Sequence, residues 1–387
     1  MSVTAAQGFV AAGIAAGIKE AGAADLALVA TAASEPVVAA GVFTSNKMTA
    51  APVIVTNRHL EATGGHARAV ILNSGNANAA MGTRGVEDAT AMCATTAREL
   101  SCATEDVLVC STGLIGIPLP IDTIVAAIPE LVAARSARGA AGAAEAIRTT
   151  DTVRKEVVVE GPGFVVGGMA KGAAMLAPNM ATMLAVLTTD ADVTPAQAKA
   201  ALVKGVARSF NALSVDGCQS TNDTVLLLAS GVAGAVDADA FDAAVADACS
   251  SLATQMAGDA EGATKVVRVT VTGAASDAEA EIGARQVADS NLCKCSWYGQ
   301  DPYWGRVASE LGSAGIDFEQ TAVAIAYGGV TVAAGGIEVD HDRDAVAAHM
   351  AGRHLEVVAD LGLGDGTGTI LTNDLTHAYV DENMGTS

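Results

Sequence analysis

The chain has 387 residues, is 51% hydrophobic and only 3% aromatic, and carries 43 acidic against 22 basic residues for a net charge of −21. That length suits one large fold or two domains, with Ala, Val and Gly as the core material. The acidic balance excludes nucleic acid and an anionic membrane surface as partners, because both require clustered cations. It leaves room for an acidic small molecule held by one local Lys or Arg. The seven cysteines (Cys93, Cys102, Cys110, Cys218, Cys249, Cys293 and Cys295) are odd in number and irregularly spaced, the pattern of free thiols in a reducing compartment. Cys293-Lys-Cys295 has no second Cys or His pair near it, so no metal is expected. No basic n-region precedes an apolar run at the N-terminus, and Gly interrupts every long apolar stretch. Neither a signal peptide nor a spanning helix is expected, and the cytoplasm is the expected location.

In chain order, residues 8–17 are rich in Gly and Ala and read as a loop or strand edge. Runs of β-branched and small apolar residues predict strands at 25–30, 37–44, 52–56 and 68–72. The last runs into Asn73-Ser-Gly-Asn-Ala-Asn78, a turn-forming polar cluster at a strand end, where binding sites tend to lie. An amphipathic helix is predicted over 86–100. A strand at 106–110 leads to Ser111-Thr112-Gly113. A Thr-Gly pair there either closes a turn or aims a hydroxyl and an N–H into a pocket, the donors an oxyanion hole requires. Helices follow at 121–134 and 140–147. A hairpin with strands 156–159 and 164–166, turning on Glu160-Gly-Pro-Gly163, then delivers the chain to Lys171.

Further on, Thr194-Pro195 opens a helix as N-cap and first helical residue, reaching about residue 210. The polar loop 216–224, whose carboxylates read as Asx turns, precedes a strand at 225–228. A long helix at 238–257, an alternating strand at 267–271 and a helix headed by the Ser276/Glu279 capping box follow. A hairpin at 322–326 and 330–334 turns on Tyr327-Gly-Gly329, and the last strands are 354–359 and 368–371. No phosphate-loop motif occurs, and Gly362 to Gly368 lacks the strand–loop–helix order of a Rossmann motif. Paired hairpins interspersed with helices indicate an α+β fold with layered sheets.

The stretch that decides the function is Lys171-Gly-Ala-Ala-Met-Leu-Ala-Pro-Asn-Met-Ala181-Thr182-Met-Leu. Pro178-Asn179 signals a turn, and Met183 to Leu187 reads as a buried strand, so a hydroxyl stands at the opening of a core strand. In an intact chain, Thr182 is an ordinary strand-opening residue that bonds its own turn. If the Ala181–Thr182 bond is cut, the freed α-amine, with a pKa of about 7.7–8.0, can act as base to its own hydroxyl.

Residues 177–184 resemble, as they stand, the processed-threonine segment of the glutamate N-acetyltransferase (ornithine acetyltransferase) family of arginine biosynthesis. Ala174 stands where that family has Gly. The resemblance runs from about Gly8 to the C-terminus. It implies a layered αββα sandwich like that of N-terminal-nucleophile-like proteins such as DmpA. It also implies self-cleavage into an α chain of residues 1–181 and a β chain of residues 182–387 that share one core, and assembly into an α2β2 heterotetramer. Thr182 would take acetyl from N2-acetyl-L-ornithine and pass it to L-glutamate, with Thr112 and Gly113 as the oxyanion hole. Thr149, Lys171, Thr182, Glu261, Asn383 and Ser387 would contact the substrate. No cofactor is implied, and acetyl-CoA as a co-substrate is left open. The family's Asp-Pro-Asn-Trp-Gly-Arg appears here as Asp301-Pro-Tyr303-Trp-Gly-Arg306, and the C-terminal tail is one residue and one Tyr short. Two other readings use the same residues: an N-terminal-nucleophile aminopeptidase or amidohydrolase that accepts water, and a non-catalytic protein of the same fold.

Overall fold

The computed structural model describes residues 2–176 and 183–385. Its described residues fall into two compact units, the first within Met1–Asn211 and Cys218–Met256, the second within Ala212–Gly217 and Ala257–Gly385.

The strands of the first unit are β1 (Phe9–Ile14), β2 (Leu26–Thr31), β3 (Val37–Phe43), β4 (His66–Ala67), β5 (Ala69–Asn76), β6 (Val107–Leu114), β7 (Lys155–Gly161), β8 (Phe164–Lys171) and β9 (Leu184–Asp192). After β10 (Leu213–Ser214), which belongs to the second unit, β11 (Thr224–Ala235) returns to the first. Its helices are α1 (Ala51–Ala62), α2 (Gly82–Leu100), α3 (Ile121–Ala134), α4 (Ala140–Ala146), α5 (Pro195–Ala207) and α6 (Ala238–Gly258). One sheet has the order β1-β2-β5-β6 and the other β4-β3-β11-β9-β8-β7. Pairing is antiparallel except for β5 with β6 and β9 with β11.

The alternation within β2 shows how the layers stack. Leu26, Leu28 and Ala30 join Met92 and Cys93 of α2 and Ile124 and Ile128 of α3 in one apolar cluster. Ala27 and Val29, on the opposite face by the two-residue period of a strand, join Leu184 and Val186 of β9 and Leu226 and Leu228 of β11. The two sheets therefore face each other across a shared core, with α2 and α3 outside the first. Outside the second, α5 packs on β3, and Phe241 of α6 lies against Phe164 of β8 with ring centroids 6.0 Å apart. The first unit is an αββα stack, and the fold class is α+β. Its inner core draws on segments from both sides of Ala181–Thr182. β8 and β9, which flank that bond in sequence, pair from Val166↔Thr189 to Lys171↔Leu184.

Three expectations are corrected. Residues 52–56 are not a strand but lie within α1. Pro52 sits in the first helical turn, where its missing N–H is no loss. Thr56 Oγ1 donates to Val109 O at 2.7 Å and accepts from Val109 N at 2.8 Å, so bonding to β6 overrides the strand preference of a β-branched run. The polar cluster after residue 72 is not a turn as far as Asn76, because β5 continues through it. Gly75, at φ +99°, marks the register shift where the ladder to β6 becomes irregular. Likewise Ser111-Thr112-Gly113 belongs to β6 and does not follow it. Thr194 does cap α5, accepting from Gln197 N at 3.3 Å, and Ser276 accepts from Glu279 N at 3.3 Å.

The second unit is built on a sheet of order β10-β17-β12-β16-β13-β14-β15. These are β12 (Val266–Ala274), β13 (Ala324–Tyr327), β14 (Val330–Ala334), β15 (Ile337–Glu338), β16 (His354–Asp360) and β17 (Gly366–Asn373). Helices α7 (Asp277–Asp289), α8 (Asn291–Tyr298), α9 (Trp304–Ser313), α10 (Arg343–Ala351) and α11 (His377–Glu382) accompany it. Val267, Val269 and Val271 alternate inward as expected and pack with Ala284, Val287 and Trp297. Tyr303, the departure noted above, is 56% exposed just ahead of α9, so it is a surface residue. Among the described residues no helix is long and apolar enough to cross a membrane.

Candidate active site

Thr112 and Gly113 lie near the end of β6, with Thr112 only 1% exposed. Gly113 has φ +129°, and a Cβ there would stand 2.3 Å from Gly75 C and 2.5 Å from Asn76 N. Only glycine permits that backbone conformation at that approach. Lys171 is the last residue of β8, 2% exposed, and its Nζ donates to Thr112 Oγ1 at 3.3 Å. The structure thus brings together three of the residues singled out in the sequence.

Thr149 joins them through a carboxylate that sequence reasoning missed. Asp151 Oδ2 accepts the Thr149 N–H at 3.1 Å. Its Oδ1 accepts from Gly172 N at 2.7 Å and from Lys155 Nζ at 2.6 Å. Lys155 is 0% exposed and Asp151 3%. Burial pushes the Asp151 carboxyl up. The nearby Lys171 and Lys155 charges and the Gly172 N–H outweigh it and hold the group down at about 2. A charged carboxylate therefore holds Lys155 and the backbone just past β8, and attracts the Lys171 charge. The Lys171 ammonium beside Thr112 favours negative charge developing there.

Ala181, Thr182 and Ser387 lie outside the described residues. On either side of the expected cleavage point, Leu176 and Met183 are buried, and Met183 N donates to Asp223 Oδ1 at 2.9 Å.

Glu261 and Asn383 meet in the second unit, where Asn383 Nδ2 donates to Glu261 Oε2 at 2.8 Å and to Tyr379 O at 2.9 Å. Glu261 and Tyr379 line a cavity of about 70 Å³ together with Asp216 and Lys294. Lys294 is a second missed residue. It is 3% exposed, and its Nζ donates to Val215 O at 2.9 Å, Asn373 O at 3.0 Å and Thr372 Oγ1. Burial pulls its amine down to about 8, against the raising influence of Asp289, Asp216 and Asp374. Sequence offered few cues to either group. The i,i+4 spacing of Asp151 and Lys155 in a polar run was one; a lone Lys between two cysteines gave none.

A family model described as the ArgJ family matches residues 10–385. The arginine biosynthesis bifunctional protein ArgJ of Streptomyces coelicolor is 48% identical over 388 residues, with all of both chains covered. The protein of the same name from Mycobacterium leprae is 48% identical over 398 residues, covering all of this chain and 95% of its own. Among solved structures, the ornithine acetyltransferase of Mycobacterium tuberculosis complexed with ornithine is 44% identical. It covers 46% of this chain and 94% of its own, with a TM-score of 0.42. The family match spans the buried Thr112–Lys171 site and the Glu261–Asn383 pair alike, and on that full-length likeness the chain belongs to the ArgJ family.

Proposed function

We propose that the protein is a glutamate N-acetyltransferase that moves an acetyl group from N2-acetyl-L-ornithine to L-glutamate after cutting itself between Ala181 and Thr182. The observation that carries this reading is the buried contact of Lys171 Nζ with Thr112 Oγ1 beside Gly113, at the end of the strand that leads to the cleavage segment. Membership of a family whose relatives are named for arginine biosynthesis supports it.

In the first act Thr182 Oγ attacks the Ala181 carbonyl carbon. The C–N bond breaks, the hydroxyl proton passes to the leaving nitrogen, and water hydrolyses the resulting ester. In the second, the new α-amine takes the proton of Oγ as the oxygen attacks the acetyl carbonyl of N-acetylornithine. The same proton goes to the departing ornithine amine. The glutamate amine then attacks the acetyl-threonine ester, and Oγ recovers a proton. Thr112 and Gly113 hold the oxyanion in each addition. Losing one such donor typically slows the step about a hundred- to a thousandfold. Thr149, Lys171, Glu261, Asn383 and Ser387 contact the substrate, with Glu261 pairing the ornithine side-chain ammonium. The chemistry requires no cofactor, and acetyl-CoA serves as an alternative acetyl donor. The α and β pieces stay together, a reading supported by the β8–β9 ladder that bridges them, and assemble as α2β2 in the cytoplasm.

Intact-mass measurement paired with an acetyl-transfer assay tests this. Purified protein is expected as two fragments that meet at residues 181 and 182 and transfer acetyl from N-acetylornithine to glutamate. Thr182→Ala is expected as one uncut, inactive chain, and Thr182→Ser still to process. Transfer by Thr182→Ala would overturn the assignment, and acetyl release to water in place of glutamate would point to a hydrolase.

A further inference from the structure

The loop ahead of β11 carries two adjacent buried side chains that bond to different segments, one to β6 and the residue after β5, the other to the residue before β9. Asn222, 4% exposed, donates through Nδ2 to Ala77 O at 2.6 Å and to Ser111 O at 2.9 Å. Asp223, 0% exposed, accepts from Met183 N through Oδ1 at 2.9 Å. The loop is itself tied down. Thr44 N donates to Asp223 O at 3.0 Å, Thr224 N donates to Met183 O at 3.2 Å, and Ser220 Oγ accepts from Asn222 N at 2.9 Å.

Two of these partners, Met183 N and Ser111 O, abut residues of the proposed reaction. Met183 N is the amide that joins residue 183 to Thr182. Ser111 O belongs to the peptide that joins Ser111 to Thr112. In a planar trans peptide the C=O and N–H point in opposite directions, so a donor fixed on Ser111 O also fixes the direction of the Thr112 N–H.

We infer that Asn222 and Asp223 form a positioning pair that sets the nucleophile-bearing chain against the oxyanion-binding end of β6. This rests on the proposed function. Asp223 acts as a neutral hydrogen-bonding group and not as a charge. Among the described residues its Oδ2 has no hydrogen-bond partner, and an ionised oxygen buried without one is strongly disfavoured. In keeping with that, burial pushes the Asp223 carboxyl well up, against the Met183 N–H, the nearby Ser220 hydroxyl and the Lys171 charge. An amide has the same shape and the same acceptor.

The test uses the full chain and follows three readouts: the rate of scission by intact mass, kcat and KM of acetyl transfer, and Tm. Asp223→Ala is expected to slow scission roughly 100-fold, the scale on which misplacement of about 1 Å acts. Asp223→Asn is expected to restore wild-type scission. Asn222→Ala is expected to lower kcat by a similar roughly 100-fold with KM little changed, because it displaces Thr112 and not the substrate contacts. If Asn222→Ala does not accumulate, Asn222→Gln, which keeps the amide but moves it by one methylene, serves the same comparison. An Asp223→Asn chain as slow as Asp223→Ala would overturn the neutral role. Position 222 variants with lower Tm but wild-type kcat would reduce the pair to ordinary loop packing. A wild-type chain that is uncut and inactive would overturn the proposed function together with this inference, whereas an active wild type with unaffected variants would overturn the inference alone.

Discussion

Substituting Gly113 by Ala tests whether the close approach of β5 and β6 holds the site. At φ +129° an L side chain is strained, which costs of order 1–3 kcal/mol. The added Cβ would stand 2.3, 2.5 and 2.7 Å from three backbone atoms of Gly75 and Asn76. No rotamer change relieves a clash with backbone, and β5 is held on its other side by β2 as far as Asn73. The end of β6 must therefore retreat by about 1 Å, adding overpacking of typically 1–3 kcal/mol. A total of roughly 2–6 kcal/mol lowers Tm by roughly 4–24 °C in a unit of this size. The same retreat lengthens the 3.3 Å contact between Lys171 Nζ and Thr112 Oγ1, and kcat is expected to fall about 100-fold. Gly116→Ala is the control. Its φ is +78° and nothing lies within 4 Å of the added Cβ, so it carries backbone strain of about 1–2 kcal/mol and no clash. Thermal unfolding and acetyl transfer are measured on both. If Gly113→Ala behaves like Gly116→Ala, the approach of the two strands does not constrain the site and the reasoning fails.

Asp151→Ala leaves Lys155, 0% exposed, without its 2.6 Å ion pair. A loss of about 3–5 kcal/mol in denaturant unfolding is expected, and a loss under 1 kcal/mol would contradict it. Because the folded carboxyl of Asp151 is depressed from 3.8 to about 2, its stabilisation of about 2 kcal/mol is complete above its unfolded value and disappears as pH falls through its folded one. The stability gap between wild type and Asp151→Asn should therefore be level above about pH 5 and close between 4 and 2; a gap that opened on acidification would refute the assignment. Lys294→Met keeps the side-chain volume but strips the donor from Val215 O, Asn373 O and Thr372 Oγ1. It is expected to destabilise the second unit by about 2–4 kcal/mol, as read by hydrogen exchange in β17. Glu261→Gln should raise KM for N-acetylornithine roughly tenfold with little change in kcat, as expected for a group that binds substrate and transition state alike. A fall in kcat alone would give Glu261 a different role.

The strands were legible where small or β-branched residues alternate between two faces, as in β2 and β12. They were misread where tertiary bonding decided the outcome. The run 52–56 has strand composition, yet Thr56 is claimed by Val109 and the segment coils into α1. At the site, Thr112, Gly113 and Lys171 were found because a family motif marks them. Asp151 was not found because, beyond its neighbours Thr149 and Lys155, its partners Gly172 and Lys171 reach it only through folding. The β7–β8 hairpin sets Lys155 opposite Ala170, and so beside Lys171. Asp223 was read as a turn former for a similar reason. Its partner Met183 lies 40 positions away and is delivered by the parallel pairing of Leu184 with Thr224. Local pattern carries no trace of such encounters.

The order β4-β3-β11-β9-β8-β7 has a consequence for how the molecule must come into being. The two central strands follow Thr182, and the four flanking ones precede it. A polypeptide ending at residue 181 would hold two separate ribbons, β3 with β4 and β7 with β8, with a gap two strands wide between them. The rims facing that gap, along Ala39 and Ala40 on one side and Met169 and Ala170 on the other, are buried in the native protein. Left bare, they would recruit strands from other molecules. Halves synthesised apart and then mixed should precipitate, whereas a single polypeptide can complete the sheet first and break its backbone afterwards.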